Sequence, residues 1–210
     1  MSEIIGVFSG ILAVYGVVFG VSAVAGLVLF VLRGIGLYEV AVKLGIKNAW
    51  LSFVPIVWIF SLGKISERYV KNDGSKSGKL GGWLLALAIL TYVFLIVFFA
   101  VVIIGIILFA RDAGVAVDAG SDFTPEMFMI FIPAIISYII AFVSSLAHQI
   151  LYYIALWRYY SIMENCNATL YLVLSIIFSF IAPIFIFVLR NKQPKFTFEE
   201  RMNINPTVNV

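Results

Sequence analysis

Cysteine and histidine are nearly missing: the 210 residues contain one of each, Cys166 and His148. A single cysteine excludes an intramolecular disulfide, and a single histidine leaves no His cluster to hold a metal, so no metal or other cofactor is expected. Charge is scarce too. Asp, Glu, Lys and Arg supply 12% of the chain, about half their usual share of a soluble domain. The net charge of +3 is small and scattered, and no accompanying motif points to a nucleic-acid partner. Apolar residues reach 63%, against about 45–50% in soluble proteins. With a mean hydropathy of +1.09, polar groups could not cover a water-facing surface. The expected solvent is lipid.

What the chain has instead is uncharged length. A spanning helix needs about 20 apolar residues to cross a ~30 Å hydrocarbon core. Residues 4–32, 80–110, 127–157 and 170–189 contain no Asp, Glu, Lys or Arg. Lipid cannot satisfy an unpaired backbone group, so these runs read as helices. A further apolar run, 49–63, has Pro55 inside it and Lys47 and Lys64 beside it. It is too short for an ordinary crossing and reads as a re-entrant or interfacial segment, with a short fifth span as the alternative. Asn48 suits a helix cap, Pro55 bends the chain, and the rings of Trp50 and Trp58 suit the headgroup level. The expected fold is an all-α integral membrane protein, one membrane domain over residues 1–210. It has three or four transmembrane helices plus one or two short re-entrant or interfacial Pro-containing segments.

Charge orients the chain. The stretch from Arg33 to Lys79 carries eight Lys and Arg residues, five of them in the basic loop 64–79. The acidic loop 111–126 has Arg111 against Asp112, Asp118, Asp122 and Glu126. The positive-inside rule makes the first cytoplasmic and the second external, with the N-terminus outside. Run 170–189 divides the criteria. If it crosses, the basic residues split nine inside to five outside; if it dips in and returns, with the polar tail 190–210 cytoplasmic, they split thirteen to one. Length favours crossing, and charge favours return. Cleavage after Ala23-Val24-Ala25 is not expected, because Met1-Ser2-Glu3 lacks a basic n-region and the apolar run is too long.

At an offset of 119 positions, Leu37, Asn48, Ala49 and Leu51 fall on Leu156, Asn167, Ala168 and Leu170. In so biased a composition, chance alone can produce such a match. A genuine repeat would be parallel, and would support a re-entrant last segment. The stretch Gly45-Ile46-Lys47-Asn48-Ala49-Trp50-Leu51, with Pro55 and then Leu62-Gly63-Lys64-Ile65, resembles a family of uncharacterised small membrane proteins from Gram-positive bacteria. So does Leu170 to Arg190 with Asn191 and Lys192. The resemblance covers the order of segments over most of the chain. It implies a bacterial plasma membrane, and implies no activity and no residue role.

Two features could carry function. Ser144, Ser145, His148 and Gln149 form an intramembrane polar cluster at helical spacing, with Ser137 and Ala141 on the Ser144 stripe. Such groups serve a proton relay or a substrate contact, or simply bind neighbouring helices. Gly6, Gly10, Gly16 and Gly20 form two small-xxx-small pairs that let another helix approach closely, from the same chain, a partner or a second copy. The five bases of loop 64–79 attract an anionic leaflet, although a dedicated headgroup site would need a basic pocket. The acidic loop lacks the alternating ligands of an EF-hand, and Thr124-Pro125-Glu126 reads as a helix start. Cys166 reads as a free thiol, and the glycosylation acceptor Asn167-Ala168-Thr169 as inert. No residues complete a catalytic set, since the one candidate pair, Ser144 with His148, lacks a carboxylate to orient the imidazole. The chain is therefore expected to be a non-enzymatic membrane protein that binds other membrane proteins or lipids. A small transporter or channel is the alternative.

Overall fold

The structure, a computed structural model, describes residues 2–72, 79–119, 125–164 and 166–194. Helices dominate and no strand occurs among them. Three helices are long: α1 (Ser2–Lys43), α3 (Leu80–Ala119) and α4 (Pro125–Met163). Between α1 and α3 lie a 3-10 turn (Ala49–Phe53) and helix α2 (Trp58–Asn72); after α4 come α5 (Ala168–Ile177) and α6 (Ile181–Leu189). Leu12–Lys43, Leu80–Leu108 and Phe131–Met163 are long and apolar enough to cross a membrane, matching three of the expected spans. Pro125 opens α4 at the position where a proline loses nothing by lacking an N–H.

Run 170–189 is not one helix. It breaks at Phe178 to Phe180, and α5 and α6, of 10 and 9 residues, each extend only about 15 Å. The break lies upstream of Pro183, which thereby falls in the first turn of α6, where a missing N–H leaves no helical hydrogen bond unmade. Pro183 accordingly sits third in α6 and is buried. The two short helices form a hairpin whose ends meet. Lys192, after α6, donates to the carboxylate of Glu164, before α5. Arg190 reaches Glu39 of α1 at 3.2 Å, and the Lys43 ammonium donates to the carbonyl oxygen of Arg190.

The segment after α1 also doubles back. Phe53, at the end of the 3-10 turn, lies where a Cβ on Gly34 would come within 2.8 Å of its ring. Trp58, opening α2, lies beneath Arg33. Arg33 sits ten residues before the end of α1, so this hairpin reaches roughly 15 Å up the bundle before α2 returns. Pro55 and Ile56 make its tip. Ile56 has φ 68, a left-handed conformation that costs a β-branched residue about 1–2 kcal/mol. Asn48 stands in front of the 3-10 turn, as expected of a cap, but in a left-handed conformation (φ 65) and with no side-chain capping bond.

The two halves follow one plan: a long helix, an Asn-Ala pair, a short helical piece, a break and a returning helix. Leu37 and Leu156 are both fully buried, and so are Ala49 and Ala168, nearly. The returning helices exchange partners, α6 against α1 and α2 against α4. Gly36 allows the first contact, since a Cβ there would lie 2.7 Å from the Ile186 carbonyl oxygen. In the second, Ser66 of α2 donates to the carbonyl of Ala155, which is Gly36 shifted by the same 119 positions, at 2.7 Å. Leu37, Val40, Leu62, Ile65, Leu84, Tyr159, Ile186 and Leu189 fill the core between these elements.

Candidate functional site

The glycine face of α1 is free. Every residue from Leu12 to Val28 is exposed, and a Cβ on Gly10, Gly16, Gly20 or Gly26 would meet nothing within 4 Å. Gly6 lies outside the described side chains. The glycines that do admit close neighbours lie elsewhere, at Gly34, Gly36, Gly63 and Gly81. The reason is architectural: α3 and α4 pair with each other, and α1 meets α2, α6 and the 3-10 turn only over its last turns.

The expected polar cluster divides over two faces of α4. Ser144 is buried with Ser137 and Ala141, and its Oγ lies 3.0 Å from Thr91 Oγ1 of α3. Each hydroxyl also lies within reach of a carbonyl of its own helix, Leu87 for Thr91 and Ala141 for Ser144; with one proton apiece, one hydroxyl donates to its carbonyl and accepts from the other, which ties α3 to α4. Ser145 and Gln149 are exposed. His148 is half-buried, and its Nε2 has no partner among the described residues. Ser144 and His148 share no hydrogen bond there, and the structure brings no nucleophile and base together at this point.

A second polar group, between α1, α2 and α4, has no counterpart in the sequence reading. The Arg33 guanidinium stacks 4.1 Å over the Trp58 ring, and Trp58 meets Tyr152 edge-on at 6.1 Å. Tyr152 follows His148 by one helical turn, and Arg33 Nε has no described partner. A guanidinium on an indole face gains electrostatic attraction while shielded from water, which offsets part of its desolvation. Trp58 is half-buried and packs against the core, whereas Trp50 is exposed. The signal in the sequence was the spacing beyond Arg33: Leu37, Val40, Ala41 and Leu44 lie on one helix face and are all buried. That spacing carries α1 ten residues past Arg33.

The basic loop is partly helical for the same reason. Through Asn72 its residues belong to α2, where Ile59, Leu62, Ile65 and Ser66 are buried and Lys64 and Arg68 face outward. The acidic loop likewise continues α3 as far as Ala119. At the foot of the bundle the Glu164 carboxyl is held below its ordinary value of 4.5, chiefly by the hydrogen bond from Lys192 and secondarily by one from Tyr171. Cys166 is exposed. Comparison of the chain with family models, with curated proteins and with solved structures gave no match.

Proposed function

We propose that the chain is a non-enzymatic, multi-pass protein of a bacterial plasma membrane whose first span docks a helix of another membrane protein. The observation that carries this reading is the unpartnered length of α1 from Leu12 to Val28, with Gly16, Gly20 and Gly26 opening onto free space. Lipid can surround such a helix. A stripe without side chains, however, offers its backbone to close van der Waals contact, which is what drives helices together where no hydrophobic effect acts between them. In the same reading both hairpins re-enter the membrane from the cytoplasmic side. The ties among Lys43, Glu39, Arg190, Lys192 and Glu164 support that topology, because they gather the basic residues at one end.

The test is crosslinking in native membranes. Cysteines introduced singly at Gly16, Val17, Gly20 and Val21, after Cys166→Ser, should capture a second membrane protein from the glycine positions and not from the valines. A bare monomer at all four positions would overturn the proposal.

A small transporter or channel is the second reading. It draws on the paired broken hairpins and on Arg33 Nε and His148 Nε2, which have no hydrogen-bond partner among the described residues, an arrangement suited to holding a polar substrate at membrane depth. Unchanged flux in reconstituted vesicles carrying Arg33→Gln or His148→Ala would remove it.

A further inference from the structure

The residues that border the turn after α1 form a basic pocket. The turn has two left-handed residues, Gly45 (φ 62) and Asn48 (φ 65), which fold the chain back so that Lys47 stands across from α2. Phe60, Lys64, Glu67 and Arg68 of α2 complete a cavity of about 510 Å³, a size suited to a small ligand rather than to water alone. Lys64 and Arg68 are one turn apart on the same helix face. The single acid in the lining is already engaged. Glu67 accepts the backbone N–H of Gly81 through Oε1 at 2.9 Å and the Lys64 ammonium through Oε2 at 2.9 Å. It therefore covers the positive end of α3 and holds Lys64 in place. Lys47 and Arg68 have no carboxylate within ion-pair distance among the described residues. Three cations against one committed carboxylate leave an anion-seeking site, and Phe60 beside Lys64 (5.3 Å from the ring centroid) adds an apolar wall.

We infer that this pocket binds a phosphate group, with Lys47 and Arg68 contacting its oxygens and supplying the surplus positive charge, beside the mutually neutralised Lys64–Glu67 pair. The guanidinium of Arg68 offers a planar pair of donors that matches two phosphate oxygens, while Lys47 acts as a point charge. The group could reach the pocket on an anionic lipid headgroup or as free phosphate. The apolar wall, and the position of the pocket at the foot of a membrane bundle, favour the headgroup. The inference does not rest on docking by α1.

The test uses the full chain in phosphatidylcholine nanodiscs, titrated by calorimetry with dioctanoyl phosphatidylglycerol and, separately, with inorganic phosphate. The wild type should bind the lipid saturably, and Lys47→Gln and Arg68→Gln should each weaken binding about fivefold. Lys79→Gln, at the same end of the bundle but outside the pocket, should leave it unchanged. Lys47 is exposed and Arg68 half-buried, and unchanged helicity by circular dichroism verifies that the variants fold. Saturable binding of inorganic phosphate with the same two losses would support the site and assign it to the soluble ion. Absence of saturable binding by either probe would overturn the inference, as would an equal loss in Lys79→Gln, which would reduce the effect to general surface attraction.

Discussion

Lys192 reaches back to the carboxylate of Glu164, so the 27 residues between them leave one end of the bundle and return to it. A chain that crossed in this interval would separate the two residues by the full ~30 Å of the hydrocarbon core. Single cysteines at Gln193 and Lys79, in a Cys166→Ser background, should therefore react with a membrane-impermeant reagent from the same side. Labelling from opposite sides would mean that α5 and α6 together cross.

The same ion pair carries a pH dependence. The folded state holds the Glu164 carboxyl below its ordinary value of 4.5. Its contribution to stability is then complete above that value and is lost as pH falls through the folded pKa. Thermal unfolding in detergent should find the wild type more stable than Glu164→Gln at neutral pH, with the two converging well below pH 4.5. A gap that stayed constant across that range would contradict the assignment.

Glycines should separate into two classes. A Cβ at Gly63 would lie 2.4 Å from the Gly81 Cα, and one at Gly36 would lie 2.7 Å from the Ile186 oxygen. Both neighbours are backbone, which cannot move aside cheaply, so Gly63→Ala and Gly36→Ala should each cost about 1–3 kcal/mol. Gly16→Ala and Gly20→Ala meet open space and should change monomer stability by less than about 0.5 kcal/mol. Unfolding of the purified variants in one detergent checks both halves of the contrast.

The serines of α4 should part company in the same assay. Ser144→Ala breaks the bond to Thr91 between α3 and α4, which is worth about 0.6 kcal/mol on average for a hydrogen bond between membrane helices. Ser145→Ala, at an exposed position, should be neutral. A larger effect at Ser145 than at Ser144 would reverse the orientation of this face.

Arg33 depends on Trp58. Replacing Trp58 by leucine keeps an apolar side chain but removes the ring under the guanidinium, and should cost about 2 kcal/mol on top of the lost packing because the cation is shielded from water. Trp50→Leu, at an exposed ring, should be far milder.

The long apolar helices were legible because an uncharged run of that length has few structures other than a helix open to it if its solvent is lipid. The Asn-Ala pairs at 48–49 and 167–168 also marked equivalent points of the two halves, although four matches could not establish the repeat. Charge misled twice. Arg33 looked like the end of α1, and Lys64 like the start of a loop, whereas both are positions on helices that run on past them. In each case the apolar residues spaced around the charge carried the information. For the last hairpin the distribution of charge favoured a return, but the contacts that close it could not be read. They join partners remote in sequence, Lys192 with Glu164 and Arg190 with Glu39. The pocket at Lys47, Lys64 and Arg68 was hidden for a related reason, since it needs α2 folded back against the turn.

The exchange of returning helices between the halves bears on how the protein is made. Gly36 receives its covering backbone from Ile186, which leaves the ribosome 150 residues later. The rest of α1 can form early, but the surface around Gly36 stays uncovered until α6 has been made. A chain without α6 would leave the Gly36 face of α1 open, so the docking of α6 is the step that closes this end of the bundle.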